Sequence, residues 1–137
     1  MAEAVFDRMV EEAGLSEQIE IDSAGTGSWH VGEMAHRGTR RVLQQHGIDY
    51  TGRARQIKKA DLQPNTYIVA MSQSNVDELE RRFGHQDNVY QLLDFADGVD
   101  VRDVPDPYYT GNFEYVYQLV EEGCRGLLDF LREQHDL

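Results

Sequence analysis

The stretch TYIVAMSQSNVDELERRFG, residues 66–84, decides the fold. Its first part, from Tyr67 to Met71, is a continuous apolar run of the kind found in a strand covered on both faces. Ser72 or Ser74 then offers a side-chain oxygen to cap a helix. Val76, Leu79 and Phe83 form that helix's inner stripe, and Gly84 ends it. A buried strand running directly into an amphipathic helix is the repeating unit of a layered α/β protein.

The same alternation extends outward in both directions. Downstream, NVYQLLDF (88–95) reads as another strand, and from Phe113 the residues Val116, Tyr117, Val120, Cys124, Leu127, Leu128 and Leu131 mark a long amphipathic helix. Upstream, TRRVLQQHG (39–47) reads as a helix closed by Gly47. IEID (19–22) alternates as a strand and runs into the small-residue loop SAGTG. The chain opens on MAEAVFDRMVEEAGL, where Ala2, Val5, Phe6, Met9, Val10 and Ala13 share one helical face and Gly14 supplies the stop. No Ser, Thr, Asp or Asn precedes that helix to satisfy its first N–H groups.

The order helix, strand, helix, strand, helix, strand, helix predicts one α/β domain over 1–137, a doubly wound, mainly parallel sheet with helices on both faces. Folds of this class usually begin with a strand and bind ligands at the carboxyl ends of their strands. A helix-first order therefore implies a domain whose opening strand and first loop have been cut away. Thirteen basic against 25 acidic residues give a net charge of −12, which disfavours nucleic acid and anionic membranes as partners. No apolar run approaches the roughly 18 residues of a membrane span, and the acidic start is unlike a signal peptide. One cysteine excludes an internal disulfide framework and fits a reducing, cytoplasmic setting.

Few residues stand out as chemical. In DVPDPYYTGNFEYVY, Pro105 and Pro107 flank Asp106 and fix the backbone on either side of it. An acid on a rigid loop followed by Tyr108 and Tyr109 suits general-acid work beside an aromatic pocket. On these residues alone, a turn whose Asp bonds the local backbone is the plainer reading. Trp29, in DSAGTGSWHVGE, is either a pocket wall or a cap on the core. His30 could titrate, but a single loop histidine is more often simply solvated.

Cys124 lies on the apolar stripe of the last helix and reads as a buried structural thiol. A thiolate phosphatase needs an Arg six positions after its Cys, and the sixth residue after Cys124 is Phe130. Five scattered histidines and one cysteine give no metal-ligand spacing, and no serine elbow or phosphate-binding glycine loop is present. Neither a metal nor a cofactor is implied.

Taken together, MAEAVF, DSAGTGSWHVGE, RARQI, YIVAMSQSN and VPDPYYTGNFEYVYQLVEEGCRGLL resemble a bacterial low-molecular-weight protein tyrosine phosphatase, in order and along essentially the whole chain. In that family MAEAVF directly follows a Cys-x5-Arg-Ser-Pro phosphate loop. The resemblance thus implies a chain that begins just past its nucleophile, and these 137 residues are expected to be inactive by themselves. It further implies hydrolysis of aryl phosphate monoesters through a phospho-cysteine intermediate. Asp106 would serve as general acid and base, and Trp29, Tyr108 and Tyr109 as the walls of an aryl slot. The implied partner is a phosphotyrosine protein or a small aryl phosphate, acted on by a monomer or weak dimer.

The chain departs from the family's pattern in places. The family often has Asp where Ser72 stands and His near Gly52, both of which support the phosphate loop, and GEMAHRGT lacks a Pro pair that many relatives carry. Other readings are a non-catalytic binding domain, an arginine-phosphate phosphatase, and an arsenate reductase. The last would need resolving cysteines that this chain does not have.

Overall fold

The structure, a computed structural model, describes residues 1–28, 30–107 and 111–137. Helix α1 spans Ala2–Glu12 and buries Ala4, Val5, Phe6 and Val10. Met1 stands at its N-cap without a side-chain hydrogen bond, and Gly14 follows it at φ +73°. Helix α2, Arg37–Gln45, starts two residues ahead of the expected Thr39 because His36 Nδ1 accepts the Gly38 N–H at 3.0 Å. Strand β1 is Ile68–Ala70 and runs into α3, Gln73–Phe83. As expected, Ser72 caps α3, its Oγ accepting the Asn75 N–H at 3.3 Å.

Strand β2, Val89–Gln91, pairs with β1 in parallel, in the register Ile68–Val89, Val69–Tyr90 and Ala70–Gln91. It is shorter than the sequence pattern suggests, because Leu92–Phe95 coil into a 3-10 turn. Successive strand residues point to opposite faces, whereas this turn buries both Leu92 and Leu93. Helix α4, Phe113–His135, crosses the turn at close range. A Cβ on Gly126 would overlap the Phe95 carbonyl, so glycine is what lets the two backbones approach. Asn112, which the sequence pattern did not single out, caps α4 by accepting the Tyr115 N–H at 3.1 Å.

α4 also packs against α1 and α2, and Phe130 carries it onto Tyr67 and Tyr90 of the sheet region, with ring centroids 6.0 and 6.1 Å apart. α3 packs on β1 and β2. Val5, Val10, Leu43, Leu92, Val120 and Cys124 lie at the centre of the core. Burying an aliphatic side chain of this kind contributes up to about 1.5–3 kcal/mol. The architecture is α/β with an open parallel sheet, as the alternating order implies.

One expected strand is corrected. Residues 19–22 join no ladder among the described residues, although Ile19 and Ile21 pack partly buried on the core. The Ile19 N–H is already taken by the Leu15 carbonyl at 3.1 Å, in the turn that follows α1. Pairing begins further on, as a parallel bridge between Gly25 and Gln56.

Candidate active site

Three segments carry the candidate residues or the groups that hold their backbone in place. The first is the loop leading to Trp29. Gly25 donates its N–H to the Arg55 carbonyl at 2.8 Å and accepts the Ile57 N–H at 2.8 Å. The Thr26 carbonyl accepts from Gln56 Nε2 at 3.2 Å and from Arg82 Nη1 at 2.8 Å. Beyond Trp29, Gly32 N–H reaches the Ala54 carbonyl at 2.7 Å, Ala54 N–H reaches the Glu33 carbonyl at 2.8 Å, and Met34 bridges Arg53. Residues 53–57 therefore hold this loop on both sides of the tryptophan.

Arg55 ties that support down. Its guanidinium makes a double hydrogen bond to Asp61, at 3.0 and 3.2 Å, and a further one to Asp22 at 3.0 Å. The Arg55 hydrogen bond, reinforced by the Lys58 backbone N–H, holds the Asp61 carboxyl below its ordinary range, while the Asp61 hydrogen bond raises Arg55 in turn. Sequence reading met Arg55 only as part of RARQI. Its two partners lie 6 and 33 positions away, and no local pattern announces them.

The second segment carries Asp106. The Val104 N–H donates to the Met71 carbonyl at 2.8 Å, and Asp103 Oδ1 accepts the Gln73 N–H at 2.9 Å. These bonds fix the loop to the end of β1 and the start of α3. Asp106 is exposed on it, between two half-buried prolines. Behind the anchor, buried Gln91 donates from Nε2 to Gln73 Oε1 at 2.9 Å. Trp29, Tyr108 and Tyr109 lie outside the described residues.

The third segment is the first turn of α1. Glu3 Oε1 accepts both the Ser23 hydroxyl at 2.6 Å and the Tyr50 hydroxyl at 2.8 Å. Such a turn suits an anion, since its first N–H groups have no partner within the helix and the helix dipole is positive there.

His30 pairs with Glu33 at 2.8 Å. Cys124 is buried, its Sγ 3.8 Å from the Ala2 carbonyl, and burial pushes its thiol up to about 12. Among the described residues, no group of three or more His, Cys, Asp or Glu is placed to hold a metal ion, and no helix is long and apolar enough to cross a membrane.

The family model for low molecular weight phosphotyrosine protein phosphatase matches residues 1–137. The chain is 42% identical over 140 residues to the low molecular weight protein-tyrosine-phosphatase YfkJ of Bacillus subtilis, a match covering 100% of this chain and 90% of the relative. It is 39% identical over 138 residues to PtpA of Staphylococcus epidermidis, covering 100% and 88%. The crystal structure of YfkJ superposes with a TM-score of 0.92 over 98% of this chain and 86% of that one. The Drosophila arginine phosphatase DARP, 28% identical, superposes with a TM-score of 0.85 over 96% and 88%. Fold and sequence agree along the whole length, and the chain belongs to the low molecular weight phosphotyrosine protein phosphatase family.

Proposed function

We propose that this domain hydrolyses aryl phosphate monoesters, phosphotyrosine in proteins among them, when a Cys-x5-Arg loop precedes α1. The observation that carries the reading is the Val104–Met71 bond, which holds the Asp106 loop at the carboxyl end of β1, where this fold class binds ligands. In the first step the cysteine thiolate attacks phosphorus and the P–O bond to the phenol breaks, while Asp106 gives its proton to the leaving oxygen. In the second, the Asp106 carboxylate takes a proton from the attacking water, the P–S bond breaks, and inorganic phosphate leaves. On this reading Trp29, Tyr108 and Tyr109 are the walls of the aryl slot, and Val31 and Met34, which follow Trp29 in sequence, are exposed apolar side chains.

The 137 residues contain no Cys-x5-Arg sequence, and Cys124 is not a substitute nucleophile. Its thiol is buried and held protonated, and a thiol is a far weaker nucleophile than a thiolate. The test compares the 137-residue chain, its Cys124→Ser variant and a form carrying the loop ahead of Met1, on a chromogenic aryl phosphate. Turnover is expected from the loop-bearing form alone. Turnover by the short chain that disappears with Cys124→Ser overturns this account. The likeness to DARP makes phosphoarginine the competing substrate, and a higher kcat/KM for it than for phosphotyrosine would select that reading instead.

A further inference from the structure

We propose that Tyr50 is a positioning residue for phosphate binding: with Ser23 it holds the Glu3 carboxylate, and Gly52 makes the room that its ring occupies. A Cβ built on Gly52 would overlap the Tyr50 hydroxyl and ring carbons, so no other residue type fits at position 52 while the phenol stays where it is. The folded-back ring delivers its hydroxyl to Glu3 Oε1 at 2.8 Å, the same oxygen that takes the Ser23 hydroxyl at 2.6 Å. Three segments far apart in sequence thus meet at one carboxylate oxygen. They are the first turn of α1, the entry to the Trp29 loop, and the chain leaving α2.

The need for such a clamp follows from charge, and it rests on the functional reading above. The N-terminus of α1 attracts anions. A mobile carboxylate at its second residue would compete for those N–H groups and repel an incoming phosphate dianion. Two hydroxyl donors on one oxygen keep the carboxylate engaged with residues 23 and 50. The ionisable groups facing the phenol are Glu3 and Asp22, with the Ser23 hydroxyl beside them. Burial first, and the Glu3 hydrogen bond second, push the phenol above its ordinary value, so it remains a donor throughout the neutral range.

Two measurements test the proposal. In the 137-residue chain, ring-carbon NMR titration of Tyr50 is expected to show a midpoint above that of free tyrosine, falling toward it in Glu3→Gln. An ordinary midpoint overturns the clamp whatever the activity. In the loop-bearing form, Tyr50→Phe is expected to raise both KM for an aryl phosphate and the inhibition constant of inorganic phosphate by about 3- to 10-fold, less than a direct hydrogen bond to a charged group because the effect passes through Glu3. The kcat should stay within about two-fold, since the hydrogen bond acts on Glu3 and not on the group proposed to transfer the proton. Gly52→Ala should reproduce this pattern, and the double variant should add nothing to it. A role in stability alone would lower the active fraction and leave KM and the inhibition constant unchanged, and that result overturns the proposal. A loop-bearing parent without turnover defeats the functional reading, and this proposal with it, even where the titration shows the bond.

Discussion

Val104 donates its backbone N–H to the carbonyl of Met71 at 2.8 Å, and with that bond the loop bearing Asp106 becomes an extension of the strand end. One position earlier, Asp103 accepts the first backbone N–H of α3, from Gln73, at 2.9 Å. A side chain cannot transfer a proton reproducibly from a loop that wanders, and geometry comes before acidity in qualifying a general acid. These two bonds, with Pro105 and Pro107, fix the backbone that the proposed acid needs.

In the loop-bearing form, Asp106→Asn is expected to lower turnover of aryl phosphates by about 10²–10⁴, the usual range for losing a general acid. Substrate binding should survive. The loss should shrink as the phenol becomes more acidic, because a good leaving group departs without a proton. Equal losses across a series of phenols would remove Asp106 from this role.

Loosening the anchor should be distinguishable from removing the acid. Asp103→Ala deletes the acceptor of the Gln73 N–H at the start of α3, and losing a cap of this type costs about 0.5–2 kcal/mol. Urea melts should show that loss. Turnover should fall by less than in Asp106→Asn, with its dependence on leaving group retained. A variant as inactive as Asp106→Asn, with the same steepened dependence on the acidity of the phenol, would make Asp103 the acid instead.

The Arg55–Asp61 pair sets a pH dependence for the support beneath the Trp29 loop. Asp61 titrates below its ordinary value in the folded chain, first because of the Arg55 hydrogen bond. A depressed folded value means the contribution is fully present above the unfolded carboxyl value, about 3.9, and is lost as pH falls through the folded one. Wild-type stability should therefore decline below about pH 4 more steeply than that of Asp61→Asn. Parallel acid limbs for the two proteins would show that the pair contributes nothing. Its worth at neutral pH is limited to about 1 kcal/mol, because both partners are partly open to solvent.

How much of this was legible in the sequence depended on distance along the chain. The run from Tyr67 to Phe83 gave β1, α3 and the Ser72 cap, because apolar periodicity and capping act within a few residues. Residues 19–22 alternate as convincingly, yet join no ladder among the described residues; the Ile19 N–H is already bonded to the Leu15 carbonyl, and pattern alone does not show which hydrogen-bonding groups are taken. Leu92 and Leu93 read as strand until the presence of α4 above them is known. Pro105 and Pro107 marked a fixed backbone around Asp106, with a local turn as the plainer reading and only the family resemblance giving it a role, and the anchor of that loop was not visible, since Met71 and Val104 are 33 positions apart. Glu3, Ser23 and Tyr50 carry no shared motif, and only the folded chain brings them to one oxygen.

The thiol gives a direct check on the core. Cys124 is 1% exposed, and burial pushes it up to about 12, so at pH 8 both access and thiolate formation are denied. The native chain should label with a thiol reagent orders of magnitude more slowly than the urea-unfolded chain. Rapid native labelling would place Cys124 at the surface and undo the packing of α4 on α1.

Gly126→Ala weighs two opposing effects in one helix. Within an exposed helix, replacing Gly by Ala stabilises by about 1 kcal/mol, because alanine has less backbone entropy to lose. At position 126 the new Cβ would meet the Phe95 carbonyl, its carbon and the Phe95 Cβ. These are mostly backbone atoms of a turn whose Leu92 and Leu93 are buried, so they cannot swing aside as the end of a flexible side chain can. Either α4 lifts off the turn or the turn shifts, and overpacking of this kind costs about 1–3 kcal/mol. The net expectation is destabilisation despite the gain in helix propensity, read as a lower urea midpoint with an unchanged slope. Gly98→Ala, where nothing lies within 4 Å of the added Cβ, serves as the comparison for steric room, though its φ of +70° adds strain of its own. A rise in the midpoint for Gly126→Ala would mean that α4 does not press on Phe95, and the close crossing of α4 over the turn after β2 would have to be abandoned.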